Sequence, residues 1–248
     1  MIVLWIVLYA LLALIGLFTL YVLFTCICAF LVKKDKEYNQ NSKFYRLLLY
    51  SWTTIAMFLT QIKMHVTGME KVPQGRFLLV GNHRSAYDPI VTWQAFKKHD
   101  LAFVSKEGNF RIPFFGNVIQ RCCFMEIDRT SPKNALKTVS RACELIKSDE
   151  CSVAVYPEGT RNRGEGLLPF HNSVFKIAQK SGVPIVVVAV CGAEKIAKRT
   201  PWRRTHVYVD VLDVIPTEEV LNSRTVDIGE RVGATLLEHI NTREGEKE

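Results

Sequence analysis

The sequence predicts an α/β protein in which a mixed, largely parallel sheet is flanked by helices and preceded by an N-terminal membrane-anchoring helical segment. Short β-type runs alternate with runs of helical periodicity along most of the 248 residues, and such alternation is typical of α/β proteins. Residues 1–32 contain no charged side chain, whereas all 32 Lys+Arg and 24 Asp+Glu follow them. The hydrophobic content of 48% excludes an intrinsically disordered chain.

Residues 1–32 form the first element and predict a transmembrane anchor. This uncharged stretch exceeds the ~20 helical residues that cross a bilayer. It is the one stretch that is long and apolar enough to do so, which argues against a polytopic transporter. Because Lys33 and further basic residues follow it, the positive-inside rule predicts an external N-terminus and a body on the cytoplasmic face. A cleaved signal peptide is the alternative, although the stretch lacks a charged start.

Residues 33–66 predict a basic linker that leads into a second apolar helix at 47–62. That helix carries no charge but is short for a membrane span, which leaves two interpretations: an interfacial or re-entrant helix packed on the first, or an ordinary core helix. The net charge of +8 favours contact with anionic lipid headgroups, unless it only keeps the surface soluble. We expect the lipid bilayer as a partner and, in the absence of a nucleic-acid-binding motif, no nucleic acid.

Residues 67–248 predict one globular domain. Its β-type runs lie at residues 77–80, 101–104, 122–127, 152–156, 185–190 and 206–214. Its helical runs lie at residues 89–98, 132–147, 173–180 and 226–241. A helix stop at Gly182 precedes the uninterrupted apolar run 185–190, which is typical of a strand buried on both faces. In such sheets, sites gather beyond the carboxyl ends of the strands.

His83 follows the first strand of this body and precedes Asp88 by five residues. An imidazole at such a position can take a proton from a hydroxyl, provided that a carboxylate fixes its tautomer and stabilises the imidazolium. A structural histidine is the alternative for His83. An aspartate directly before Pro89 also looks like a helix N-cap, so Asp88 has a second possible role.

Two further polar clusters follow other strands. The segment 157–161 places Gly159 in a loop two residues before Arg161, and Arg129 follows the third predicted strand. Glycine lets backbone N–H groups approach an anion, and a guanidinium grips phosphate with two hydrogen bonds. The alternatives are an ordinary turn with exposed charges and a solvated arginine at a strand end.

Together these motifs resemble the glycerophospholipid acyltransferase family, most closely its 1-acyl-sn-glycerol-3-phosphate acyltransferase branch. The resemblance covers about residues 66–214 and is carried by Asn82-His83 with Asp88, by Ile127-Asp128-Arg129, and by Pro157-Glu158-Gly159-Thr160-Arg161. It implies that His83 is the general base and that Asp88 orients it. The sn-2 hydroxyl of lysophosphatidate would attack the thioester of acyl-CoA or acyl carrier protein directly, without a cofactor.

The resemblance also implies how the acceptor phosphate is bound. Arg129, Glu158, Gly159 and Arg161 match the family's phosphate-binding positions. Lys106, which precedes a turn at 112–116, matches a lysine that would hold phosphate or the thioester oxygen.

Departures from the family pattern leave the acyl donor and the acceptor headgroup open. His171-Asn172 stands where the family usually has a lysine–glycine pair, and Val187 replaces a proline. Glycerol 3-phosphate or another lysophospholipid is therefore an alternative acceptor, and a non-catalytic, membrane-tethered phospholipid-binding protein is the alternative of another class. The sequence contains no serine-hydrolase elbow, phosphate-binding Walker loop or metal motif, so we expect no metal.

Overall fold

A seven-stranded mixed sheet forms the centre of the molecule in the computed structural model, which describes residues 1–33, 36–128 and 132–245. The strands are β1 Ile62–Thr67, β2 Leu78–Gly81, β3 Leu101–Lys106, β4 Met125–Ile127, β5 Ser152–Val155, β6 Ile185–Cys191 and β7 Thr205–Ile215. Their order is β1-β7-β6-β2-β5-β3-β4. Neighbouring strands are parallel except β6 and β7, which are antiparallel. The predicted mixed, largely parallel sheet is confirmed.

Helices flank this sheet. They are α1 Ile2–Phe30, α2 Lys43–Leu59, α3 Asp88–Ala95, α4 Glu107–Phe110, α5 Phe115–Arg121, α6 Pro132–Lys147, α7 Lys176–Ser181, α8 Ile196–Arg199, α9 Thr217–Asn222 and α10 Thr225–Gly245. Helix α6 packs on β4 and β5, whereas α10 packs on β6 and β7. Every residue of β2, β5 and β6 is buried, as expected for central strands covered on both faces.

Helix α1 is the element in the described part of the chain that is long and apolar enough to cross a membrane. Residues 2–20 of this helix are exposed and uncharged. Its C-terminal end runs antiparallel to α2, because the Tyr45 hydroxyl donates to the Cys28 carbonyl over 2.8 Å while Phe18 lies against Trp52 with ring centroids 6.3 Å apart. The two helices therefore form a hairpin that projects from the body.

Helix α2 is amphipathic and has features of both interpretations of the second apolar stretch. Arg46 and Leu49 are buried on its inner face, and the helix packs on α3, α5 and β1. On its other face, Leu47 and Phe58 remain exposed. It begins at Lys43, four residues before the apolar stretch, and the buried Arg46 in its first turn donates to the Leu101 carbonyl and to Asn41.

Two sequence predictions differ from the observed fold. The sheet begins before residue 67, since β1 at Ile62–Thr67 pairs with β7 along its whole length. The strand expected at 122–127 forms only over Met125–Ile127, because Cys122 caps the end of α5 and Cys123 has a left-handed φ of 62°. The chain turns at these residues before it can pair with β3.

Candidate active site

The site begins where β2 ends, and Asn82 fixes the direction in which the chain leaves the sheet. Its fully buried amide accepts from the Val190 N–H over 2.8 Å and donates to the Val190 carbonyl over 2.9 Å. These two bonds continue the pairing of β2 with β6 by one further step. Sequence reasoning missed this role, although a polar residue directly after a buried strand was the available signal.

His83 and Asp88 form the predicted pair. The distance from His83 Nδ1 to Asp88 Oδ2 is 2.9 Å, and the Asp88 side chain is completely buried. The same oxygen accepts the backbone N–H groups of Arg84 and Ser85, each over 2.7 Å. Asp88 is the first residue of α3, yet its carboxylate bonds the preceding loop, so it does not cap the helix. It holds the 83–85 loop and the imidazole with a single oxygen.

The electrostatics of the pair favour a base at the outer ring nitrogen of His83. Burial raises the pKa of Asp88, while the bonds from His83, Ser85 and Arg84 oppose that rise by stabilising the carboxylate. Because Nδ1 donates to Asp88, Nε2 carries the free lone pair. No described residue hydrogen-bonds Nε2, and the His83 side chain retains 19% exposure. A substrate hydroxyl can therefore reach that nitrogen.

Tyr156, which directly follows the neighbouring strand β5, supports the imidazole. The two rings are stacked, with centroids 4.5 Å apart and planes 12° apart. The Tyr156 hydroxyl lies 3.4 Å from Thr92 Oγ1 on α3, and burial raises its pKa well above the usual value. Tyr156 is thus a neutral, fixed surface that restricts rotation of His83. No role was assigned to Tyr156 from the sequence.

Glu158 joins the loops that follow β2 and β5. Its Oε1 accepts the backbone N–H of His83 over 2.7 Å, and its Oε2 accepts that of Leu168 over 2.9 Å. The residue is 3% exposed, and burial raises its pKa against the lowering effect of these two bonds. This is the geometry of a positioning residue. The resemblance matches Glu158 to a phosphate-binding position, and in the structure both of its carboxylate oxygens accept backbone N–H groups.

The 157–162 loop lies directly beside His83. Gly159 adopts a left-handed φ of 69°, and its N–H donates to the Tyr156 carbonyl over 2.9 Å to close the turn. Beyond it, the Asn162 N–H donates to the His83 carbonyl over 2.7 Å. Arg161 lies between these two anchored positions and is exposed. The structure therefore brings Gly159 and Arg161 to the rim of the His83 site.

Lys106, another of the predicted basic residues, lies farther along the sheet. Lys106 is exposed at the end of β3, two strands from β2. Arg129 lies outside the described residues, just beyond Asp128, which follows β4. Because β2, β5, β3 and β4 are parallel, all four carboxyl ends share one edge. Within the residues described, no His, Cys, Asp and Glu cluster suits a metal ion.

Comparisons with known proteins show which family the chain resembles. A family model described as Acyltransferase matches residues 63–191. The 1-acyl-sn-glycerol-3-phosphate acyltransferase of Haemophilus influenzae is 33% identical over 150 residues, which are 58% of this chain and 62% of that protein. The enzyme of the same name from Escherichia coli is 31% identical over 146 residues, covering 59% of this chain and 58% of that protein. The alignments thus span less than two thirds of either relative.

The fold also matches a solved structure. The crystal structure of the 1-acyl-sn-glycerophosphate acyltransferase from Thermotoga maritima superposes with a TM-score of 0.69 and 21% identity. The match covers 91% of this chain and 89% of that one. At this identity the likeness establishes a shared fold.

Proposed function

Because the chain belongs to the Acyltransferase family, whose model matches residues 63–191, we propose that it transfers a fatty acyl group to the sn-2 hydroxyl of 1-acyl-glycerol 3-phosphate. The product would be phosphatidate, a precursor in phospholipid biosynthesis, and the donor would be acyl-CoA or acyl carrier protein. The names of the relatives support this acceptor. The observation that carries the proposal is the 2.9 Å bond between His83 Nδ1 and the buried Asp88, which leaves Nε2 free as a base.

The reaction needs only groups of this chain and the two substrates. His83 Nε2 removes the proton of the acceptor hydroxyl as its oxygen attacks the thioester carbonyl. Asp88 stabilises the imidazolium that forms. The tetrahedral intermediate then collapses: the new ester C–O bond remains, the C–S bond breaks, and the leaving thiolate takes the proton back from His83. No acyl-enzyme and no cofactor are required.

The phosphate of the acceptor would lie at the rim of the site. Arg161 is the proposed ligand from the 157–162 loop, and Gly159 lets the backbone approach the anion. Arg129 and Lys106 are proposed as further contacts because they follow strands that end at the same edge. Glu158 would contribute by holding the loop that carries Arg161.

The membrane location is likewise a proposal. Helix α1 would anchor the chain, with the N-terminus outside and the catalytic body at the cytoplasmic face, because the basic residues follow the helix. The exposed apolar residues of α2 support its lying close to the lipid surface. A one-chain lipid acceptor would then reach the site from the bilayer.

The first test is acyl transfer by the purified full-length protein from labelled acyl-CoA or acyl carrier protein. Lysophosphatidate, glycerol 3-phosphate and other lysophospholipids would be compared as acceptors. We expect turnover that is highest with lysophosphatidate, and loss of at least about 10³-fold in His83→Ala. The exposed His206→Ala serves as the matched control and should retain full activity. Substrate binding without turnover by the wild type would instead support a non-catalytic lipid-binding protein.

A second test addresses the phosphate. Arg161→Ala should raise the KM for lysophosphatidate by roughly 10- to 100-fold and leave the donor KM unchanged, because it removes one charge-assisted contact. Arg163→Ala is the control, since it removes another exposed arginine two residues away. An equal effect of Arg161→Ala on both KM values would mean that the residue only supports the loop.

A further inference from the structure

The loop that joins α8 to β7 has an unusual composition for a surface connection. It reads Thr200-Pro201-Trp202-Arg203-Arg204, and the Trp202 side chain is 87% exposed. Both arginines that follow are exposed as well. A tryptophan usually buries its large apolar body, and it is enriched at membrane–water interfaces, where the ring is apolar and the N–H is hydrated.

Hydrogen bonds fasten this loop to the end of α2, 140 residues earlier in the chain. The Thr200 hydroxyl donates to the Thr60 carbonyl over 3.4 Å, and the Thr205 N–H donates to the Gln61 carbonyl over 3.2 Å. The Gln61 amide also donates to the Pro201 carbonyl. The loop and the end of α2 therefore form one continuous surface.

That surface combines apolar and basic side chains, and we refer to Phe58, Leu59, Trp202, Arg203 and Arg204 together as the tryptophan edge. Phe58 and Leu59, in the last turn of α2, are 80% and 62% exposed. No acidic residue occurs in residues 58–66 or 196–209. Further exposed cations flank the edge at Lys63, Lys198 and Arg199.

The tryptophan edge lies on the side of the body from which α1 projects. As α2 runs from Tyr45 to Trp52, its partner on α1 changes from Cys28 to Phe18. The last turn of α2 continues about 10 Å farther in the same direction, at about 1.5 Å per residue. It therefore lies beside the half of α1 that is wholly exposed and uncharged.

We propose that the tryptophan edge is a second membrane-contact site, separate in sequence from α1, which binds the interface of a bilayer that contains anionic lipids. Its apolar side chains enter the boundary between headgroups and acyl chains, and its arginines pair with lipid phosphates. The absence of acidic residues and the position beside α1 favour a lipid surface over a protein partner. This inference does not depend on the proposed reaction.

Tryptophan fluorescence of the full-length protein tests the contact. The Trp5→Phe/Trp52→Phe variant retains Trp202 and Trp93, and Trp93 is 2% exposed and serves as an internal reference. After reconstitution into phosphatidylcholine–phosphatidylglycerol vesicles, we expect brominated acyl chains to quench Trp202 and aqueous acrylamide to quench it poorly. Removing Trp202 as well, by Trp202→Phe, should abolish the lipid quenching. Strong acrylamide quenching without lipid quenching would overturn the proposal.

A charge variant tests the requirement for anionic lipid. Each cation near an anionic surface contributes a factor of about five to binding, so Arg203→Gln/Arg204→Gln should shift the docking equilibrium of the edge by about 25-fold. The control Lys176→Gln/Lys180→Gln removes two exposed charges from α7, before the start of β6, and should leave the lipid quenching of Trp202 unchanged. Unchanged lipid quenching in the arginine variant, or equal quenching in pure phosphatidylcholine, would refute the anionic-lipid contact. Trp202 left exposed in every vesicle would indicate a surface for another partner.

Discussion

Asp88→Asn separates two contributions of the buried carboxylate, its charge and its control of the His83 tautomer. In serine proteases the equivalent change costs about 10⁴ in kcat because the amide leaves the histidine in the wrong tautomer. In this chain the backbone N–H groups of Arg84 and Ser85 donate to the same oxygen that accepts from His83. These two donors should orient the amide of an asparagine with its oxygen inward, so the tautomer should be retained.

The expected loss is therefore that of the charge alone. At an effective dielectric constant of about 20, an imidazolium and a carboxylate about 4 Å apart attract by about 4 kcal/mol. The asparagine oxygen at the 2.9 Å position of Oδ2 keeps part of that stabilisation through its dipole. We expect kcat to fall by about 10²- to 10³-fold, which corresponds to about 3–4 kcal/mol. Asp88→Ala, which leaves three N–H donors without an acceptor, should be as inactive as His83→Ala.

The assay is the steady-state rate of acyl transfer to lysophosphatidate at saturating donor, with circular dichroism to establish that each variant is folded. A loss of about 10⁴-fold or more in Asp88→Asn, equal to that of His83→Ala, would refute the tautomer argument. Activity within about threefold of the wild type would instead show that Asp88 does not stabilise an imidazolium.

Three further predictions follow from the same contacts. Glu158→Gln should lower the melting temperature by roughly 3–10 °C and reduce kcat, because one buried N–H loses its acceptor. Thermal melts and rate assays test this, and the control Glu165→Gln, at an exposed position seven residues later, should change neither quantity. Tyr156→Phe should retain activity, whereas Tyr156→Leu should lower kcat by about 2- to 12-fold because the ring stack on His83 is lost. An equal loss of kcat in both variants would mean that the hydroxyl, and not the ring, supports His83. Burial raises the pKa of Asp88 and of Glu158, so in the folded chain both carboxylates bind a proton at a pH above their ordinary pKa values of about 4. This protonation does not destabilise the fold, because the folded state binds these protons more tightly than the unfolded state. Activity should thus fall on acidification before circular dichroism detects unfolding, and coincident transitions would contradict this.

The sequence allowed the central strands to be predicted because burial on both faces leaves long apolar runs. Strand β6 is the clearest case, since all seven residues are buried. Strand β1 was missed because it lies at the sheet edge, where Lys63 and His65 interrupt the apolar pattern. Strand β4 is shorter than predicted because Cys123 has a positive φ. Cysteine does not favour this conformation, so the turn could not be predicted from the residue type.

Part of the site could also be predicted from the chain. His83 and Asp88 were predicted from their position after a buried strand and from the family resemblance, and the structure brings them within hydrogen-bond distance. The role of Glu158 could not be inferred, because its partners are backbone N–H groups in loops whose approach depends on tertiary packing. Asn82 was missed for the same reason, since its partner lies 108 residues away on β6.

The strand order determines when, during synthesis, the central sheet and the loops of the site can form. Strand β5 lies between β2 and β3 in the sheet but follows both in the chain. At about 5–20 residues per second, β5 leaves the ribosome roughly 2–9 s after β3. During that interval β2 and β3 each present an open edge, and His83 lacks the Glu158 carboxylate that will hold its loop. Helix α1 has been synthesised by then, so a chain anchored through α1 would be at the membrane before its central strand β5 is available to pair.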